Sequence, residues 1–283
     1  MHNLIPPGSV DYLVIGHAAH DLTPAGPRLG GTVAYAALTA RALGMKVGIV
    51  TAVGSETPLD ELDGIPIIAI HSPQSTTFEN IYTPEGRLQF LRAQAVRIDF
   101  DHVPAVWRKA QIVHLGPIAD EMDPILPATM SPALLGVTPQ GWMRHWEADG
   151  RVSLRSWEGA ESMLARASAI VISREDVGGD NETIEYMAQQ TRMLVVTEDA
   201  HGCILHWHGD RRRFRAPEVR EVDATGAGDV FAAAFFFRLH TTRDPWEAAR
   251  FATLIASYSV TRPGLEGIPT QAEIEASLME VLH

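Results

Sequence analysis

The stretch "DATGAGD", Asp223 to Asp229, runs directly into "VFAAAFFFRL", Val230 to Leu239. Two carboxylates bracket two glycines, two alanines and a threonine, ahead of a strongly apolar, helix-like run. A glycine-rich turn entering a helix directs several unpaired backbone N–H groups toward one point, and the helix dipole adds partial positive charge there. Such a turn suits an anion, phosphate first of all. Small side chains at Ala224, Gly226, Ala227 and Gly228 let the backbone approach it closely, while Asp229 falls in the first helical turn, where its ionised form is favoured. An ionised carboxylate beside a phosphate pocket points to phosphoryl transfer. In a loose transition state the acceptor hydroxyl loses its proton late, so a weak base suffices if it orients that hydroxyl in line.

The rest of the chain limits what this segment belongs to. With 283 residues and 46% hydrophobic content, the expectation is a single domain over 1–283 with one large core. The 23 Lys and Arg against 35 Asp and Glu give a formal charge of -12, which repels a phosphate backbone and argues against nucleic-acid binding. A small polar ligand fits better. The lone Cys203 excludes an intramolecular disulfide framework and a cysteine-rich metal site, and the 12 histidines show no metal-binding spacing. The opening "MHNLIPPGSVDYLVIG" has neither a basic n-region nor a long apolar stretch, and no apolar run approaches the roughly 18 to 20 residues that cross a bilayer. A cytoplasmic protein with no membrane partner is expected.

Short β-branched runs alternate with longer helix-like segments. The runs are "DYLVIGH" (11–17), "KVGIVTAV" (46–53), "AQIVHLG" (110–116), "LLGVTP" (134–139), "SAIVIS" (168–173) and "MLVVTE" (193–198), and they read as buried parallel strands. Segments 31–44, 180–190, 228–240, 245–260 and 270–282 have helical spacing. The fold class is therefore α/β, a mostly parallel sheet with helices on both faces. Residues 75–95, "STTFENIYTPEGRLQFLRAQA", break the rhythm as two alternating strands around the turn "TPEG". Phe78, Asn80 and Tyr82 share one face, and Leu88, Phe90 and Arg92 share a face of the partner strand, in a hairpin expected to form a flap beside the main sheet.

Asp223, Gly226, Ala227, Gly228 and Asp229 match the second signature of the ribokinase-like (PfkB) carbohydrate and nucleoside kinases, D-T-x-G-A-G-D, with Thr225 next to the usual Thr position. The resemblance extends over nearly the whole chain. "VIGHAAHD" (14–21) looks like the family's first strand, ending near an acid that hydrogen-bonds substrate hydroxyls, here Asp21. "LGGTVAYAALTARALG" (29–44) resembles the first signature, in which Gly30 and Gly31 bring the backbone close to the sugar. "VVTEDAHGCILHW" (195–207) resembles the strand-turn-strand beside the nucleotide phosphates, and "AARFATLIASYSVTRPG" (248–264) the segment lining the adenine pocket. "VTPQGWMRHW" (137–146) resembles the D-x-Q-G-x-x-R stretch of branches acting on sugars or polyols, with Gln140, Gly141 and Arg144 retained and Thr138 near the usual acid.

The resemblance implies an ATP-dependent kinase acting on a hydroxyl of a small carbohydrate, an inositol-like polyol or a nucleoside. Asp229 is then the base and the backbone of Gly226, Ala227 and Gly228 the anion hole. Asp21, Gly30, Gly31, Tyr35 and Arg144 border the acceptor, while Thr197, Asp199, Gly202, Thr225, Ser257 and Gly264 border the nucleotide. Magnesium is expected to bridge the phosphates through water near Asp176. Four departures bear on this. Tyr35 stands where the family usually has Asn, and "SRED" replaces N-x-x-E with Ser173 and Asp176. Asp199 replaces a glycine of the phosphate turn, and only eight residues separate Asp21 from Gly30, which predicts a lid reduced to the 75–95 hairpin and leaves monomer or homodimer open. A sugar or nucleotide sensor with little catalysis is the alternative. A nicotinamide dehydrogenase requires a glycine fingerprint after the first strand, which "GHAAHD" lacks.

Overall fold

The computed structural model of the protein describes residues 8–24, 26–83 and 86–278. Fifteen strands and six α-helices follow in chain order: β1 (Tyr12–Ile15), β2 (Ala19–Thr23), β3 (Gly26–Gly30), α1 (Thr32–Ala42), β4 (Val47–Val53), β5 (Ile67–His71), β6 (Thr76–Thr83), β7 (Gly86–Ala93), β8 (Ile112–Leu115), β9 (Leu134–Val137), β10 (Arg144–Trp146), β11 (Val152–Leu154), α2 (Glu161–Arg166), β12 (Ala169–Ser173), α3 (Asn181–Gln190), β13 (Met193–Thr197), β14 (Cys203–Trp207), β15 (Asp210–Phe214), α4 (Ala227–Thr242), α5 (Pro245–Ser259) and α6 (Gln271–Ser277). The six apolar runs read from the sequence become β1, β4, β8, β9, β12 and β13, and all of them pair in parallel in one sheet. That sheet has nine strands in the order β15-β14-β13-β12-β9-β8-β1-β4-β5, antiparallel only at the β13-β14-β15 end.

Helices cover both faces, as the α/β reading requires. One core layer lies between the sheet and α1, α4 and α5, with Tyr12, Val33, Phe231, Phe235, Phe236 and Phe251 among its buried members. The other lies under α2 and α3 and the irregular chain that carries Trp107, Met122 and Trp142. This sandwiching explains why α4 is apolar almost all round: it packs on α1 and α5 while also meeting β8, β9 and β12. Its neighbours have local start signals. Asp244 caps α5 through the N–H groups of Trp246 and Glu247, with Pro245 in the first turn, and Thr270 and Glu273 form a capping box on α6. Residues 279–282, expected to continue this last helix, lie outside the described residues.

The 75–95 hairpin forms as β6 and β7, with Phe78 opposite Leu91 and Asn80 opposite Gln89. Its tip at Pro84 and Glu85 and the side chain of Tyr82 lie outside the described residues. The structure differs from the expectation of a lone hairpin. The second sheet has four strands, in the order β3-β2-β6-β7, because residues 19–30 themselves fold into a tight antiparallel pair. Strand β2 then lies parallel to β6 and registers Asp21 against Phe78. A spacing too short for long inserted strands is long enough for two strands of five residues. Buried Ala19, Phe78, Leu91, Ile118 and Ala119 pack this sheet onto the main body.

Candidate active site

The "DATGAGD" segment forms the turn that its glycines imply. Gly226 caps α4 in the left-handed region, at φ 78°, and an added Cβ there would lie 2.3 Å from the Tyr35 ring. Both facts demand glycine. The Ala227 N–H donates to the Ala224 carbonyl, so it is used inside the turn, whereas the N–H groups of Gly226, Gly228 and Asp229 meet no acceptor among the described residues. The Cβ position of Gly228 looks onto open space. A patch of free donors at the start of a 16-residue helix results, with open space in front of Gly228. Asp223 ties the turn down: its carboxylate accepts from Thr225 N–H at 2.9 Å and from Gly264 N–H at 3.0 Å, with the Arg28 guanidinium 3.9 Å away. Burial works to raise its carboxyl, but these hydrogen bonds and Arg28 prevail and hold it below its usual range.

Asp229 lies beside those donors, partly open to solvent and hydrogen-bonded by the Thr32 hydroxyl at the start of α1. Its carboxyl is pushed up to about 6, first by burial and then by the charge of Asp176, against the pull of Thr32 and Arg144. Asp21, across from it on β2, is likewise pushed up to about 6 by burial and by the Asp229 charge, with Arg144 again opposing. The two carboxylates and the nine-tenths-buried Arg144 therefore belong to one electrostatic cluster, assembled from the second sheet, the start of α4 and the start of β10. The Arg144 guanidinium also stacks over the Phe78 ring, 5.8 Å from its centroid.

Gly30 and Gly31 have separate tasks. A Cβ on Gly30 would fall 2.0 Å from Asp21 Oδ2, so its missing side chain is what lets that carboxylate lie across the strand pair. Gly31 has φ 81° and packs against the His17 carbonyl, turning the chain into α1. Tyr35 is buried, its ring beneath the Gly226 turn, and burial followed by the charges of Asp21, Asp223 and Asp229 pushes its phenol well up. It supports the anion-binding turn from below.

Asp176 and Ser173 form a reciprocal cap: Ser173 N–H donates to Asp176 Oδ2 at 2.8 Å, and Asp176 N–H donates to the Ser173 hydroxyl at 3.1 Å. Gln140 Nε2 donates to the other Asp176 oxygen at 3.1 Å. No three metal-ligating side chains converge among the described residues. With each Asp176 oxygen already engaged once, this carboxylate fits a magnesium ion held through water better than one bound directly.

The remaining positions of the expected nucleotide side are less concentrated. Thr197 ends β13, its hydroxyl donating to the Ile172 carbonyl at 3.3 Å, and Thr225 is exposed on the turn. Gly202 has φ 90° and lies so close to Phe214 that a Cβ would meet its carbonyl oxygen at 2.0 Å. Asp199 is exposed, with φ 47°. The Ser257 hydroxyl donates back to the Thr253 carbonyl inside α5, a local bond that leaves it facing its own helix. Gly264 is brought to the site by its bond to Asp223. Sequence reasoning gave no role to Thr32, although it stands within the first signature, or to buried Glu198, which gathers Arg174, at 3.4 Å, and Arg213 at the C-terminal end of β13.

Residues 148–271 match the model of the pfkB family carbohydrate kinases. The chain is 26% identical to a probable fructokinase-5 of Arabidopsis thaliana over 59% of its own length and 58% of the relative's, so it spans less than two thirds of that protein. It is 25% identical to an acarbose 7(IV)-phosphotransferase of an Actinoplanes species, over 84% of this chain and 82% of that one. A pyrophosphate-dependent kinase in the ribokinase family, solved with a pyrophosphate analog and myo-inositol, superimposes with a TM-score of 0.77 at 23% identity, covering 94% of this chain and all of that one. Fold, signature turn and family match converge: the chain has the ribokinase-like fold, and over residues 148–271 it matches the pfkB family carbohydrate kinases.

Proposed function

We propose that the protein transfers a phosphoryl group from ATP to a hydroxyl of a small carbohydrate, a polyol of the inositol kind or a nucleoside. The observation that carries this reading is the Asp229 carboxylate standing next to the unpaired N–H groups of Gly226, Gly228 and Asp229 at the start of α4. Those donors bind and neutralise phosphate oxygens, and they gain strength as charge spreads over the transferring group. Asp229, oriented by Thr32, aligns the acceptor hydroxyl and takes its proton as the new O–P bond forms. A carboxyl near 6 is ionised above neutral pH yet basic enough to accept that proton. Asp21 accepts hydrogen bonds from other acceptor hydroxyls, and Arg144 keeps the two acids ionised side by side. Magnesium, held through water by Asp176, would screen the charge of the phosphates.

Pyrophosphate is a second reading for the donor. It draws on the likeness to the pyrophosphate-dependent kinase and on the Arg174 and Arg213 guanidiniums, each exposed by more than a third, that Glu198 assembles beside Thr197. The test is a matrix of ATP and pyrophosphate against fructose, ribose, myo-inositol and cytidine, followed by phosphorus NMR. A phosphate ester in one cell identifies donor and acceptor. Binding without any ester formed would overturn the kinase reading in favour of the sensor.

A further inference from the structure

Three side chains beneath the site form a hydrogen-bonded line that the proposed chemistry does not use. The Tyr12 hydroxyl lies 2.8 Å from His114 Nδ1, and His114 Nε2 lies 3.0 Å from the Thr138 hydroxyl. The register of the parallel strands explains the geometry. Val14 pairs with His114 and His114 with Gly136, so Tyr12, His114 and Thr138 share the sheet face under α4, and each step climbs two residues toward the C-terminal strand ends. Phe236 of α4 closes the line from above, its ring 5.0 Å from that of His114 and against Gly136, where a Cβ would clash at 2.5 Å. Tyr12 and His114 are fully buried, and Thr138 emerges at 9% exposure. The upper end reaches the site. A Cβ on Gly116 would lie 3.4 Å from the Thr138 hydroxyl oxygen and 2.3 Å from Thr32 Cγ2, and Thr32 is the residue that holds Asp229.

Burial alone holds the imidazole down to about 3, so it is neutral, with one N–H and one bare nitrogen. Two directions are then open. If Nδ1 carried the proton, it would donate to Tyr12 and leave the Tyr12 O–H without an acceptor among the described residues, deep in the core, at the cost of an unsatisfied buried donor. If Nε2 carries it, Tyr12 donates to Nδ1, Nε2–H donates to Thr138, and the one unspent hydrogen is the hydroxyl proton of Thr138, at the upper, less buried end of the line. The second arrangement satisfies every buried group.

We infer that Tyr12, His114 and Thr138 are a one-way hydrogen-bond line that makes Thr138 a donor to an oxygen of the bound acceptor substrate, selecting acceptors with a lone pair at that point. The role rests on the kinase reading; the direction of the line does not. Nitrogen-15 NMR of histidine-labelled protein, with His114 assigned by its loss in His114→Gln, reads the tautomer directly. Nε2–H is the expected form, and Nδ1–H would overturn the inference whatever the protein's activity. Kinetics then tests the role with whichever of fructose, ribose, myo-inositol or cytidine is phosphorylated. Thr138→Val, which keeps the shape and removes the hydroxyl, should raise the acceptor KM about 3- to 10-fold, the worth of one neutral hydrogen bond, without moving the donor KM. Thr138→Ser should recover most of that loss. An acceptor KM unchanged in Thr138→Val, or equal losses for Val and Ser, would refute the role. If none of the four is phosphorylated, the kinase reading fails and the role of Thr138 falls with it, while the tautomer still decides the direction of the line.

Discussion

Removing the charge of the proposed base should make the protein more stable while destroying its activity. The Asp229 carboxyl stands at about 6 against an ordinary 3.8, raised chiefly by burial and then by Asp176. The folded protein thus binds this proton more tightly than the unfolded chain does. Folding stability therefore falls as pH rises through the interval from 3.8 to about 6, and the cost is complete above it. About two pKa units at roughly 1.4 kcal/mol each give an upper bound near 3 kcal/mol. Asp229 keeps part of its surface in solvent, and screening reduces the figure to about 1 to 2 kcal/mol. Asp229→Asn retains the shape and an oxygen for Thr32, and it relieves Asp21 as well, whose carboxyl the Asp229 charge helps to raise. For a chain of 283 residues, with an unfolding entropy of roughly 0.6 kcal/mol per degree, the variant should melt about 2 to 3 °C higher at pH 7.5 and show no gain near pH 4. Phosphoryl transfer should drop about 10²- to 10⁴-fold. Calorimetric melting at both pH values decides the matter. A variant that melts lower at pH 7.5, or whose gain is the same at both pH values, would refute a strained carboxylate as the cause.

The same cluster predicts a pH profile: kcat/KM should fall below about pH 6 as Asp229 takes up a proton, and Arg144→Gln, which removes the cation pulling both acids down, should move that limb to higher pH. Asp21→Ala should weaken acceptor binding by about 1.5 to 3 kcal/mol, the value of hydrogen bonds to a charged group, and leave donor affinity in place; calorimetry showing equal losses for both ligands would remove Asp21 from the acceptor side. Gly226→Ala should cost about 1 to 3 kcal/mol of stability from its φ of 78°, with a further loss from the Tyr35 ring. In a Tyr35→Ala background, which carries its own cavity cost, the same substitution should cost less by the steric part alone, read as a smaller drop in melting temperature than in the wild-type background.

What the chain reveals in advance and what it conceals follow from where each signal resides. Strands β1, β4, β8, β9, β12 and β13 are buried on both faces, so each is a mostly apolar run that composition cannot hide. Strands β2 and β3, "AHDLT" and "GPRLG", carry an acid, a proline and glycines because one face looks into the site and the other to solvent, and nothing in their spelling says strand. Strand β15, "DRRRF", is a charged sheet edge, closed by a two-residue turn at His208 and Gly209 with positive φ at both. The signature turn was legible because its backbone conformation needs a glycine at 226, where φ is 78°, while Gly228 leaves the space in front of the turn open. Gly30 was legible as a glycine but not for its task, since the Asp21 carboxylate above it arrives from the paired strand.

The chemical settings of these residues are harder to read than their positions, and the reason is physical. An aspartate in a motif is spelled alike whether its carboxyl stands at 3.8 or at 6; the difference is made by burial and by partners at 21, 32, 144 and 176, contributed by strands and helices distant in the chain. His114 illustrates the limit. Within "QIVHLG" it reads as one more core position, and neither neighbour in sequence touches its ring nitrogens. Its tautomer depends on which buried partner would otherwise be left unsatisfied, and that choice exists only once parallel pairing has set Tyr12 two residues below it and Thr138 two residues above. A substitution at Tyr12, more than two hundred residues before Asp229, is thus coupled to the site through strand register, because removing its hydroxyl frees the imidazole to turn its proton either way.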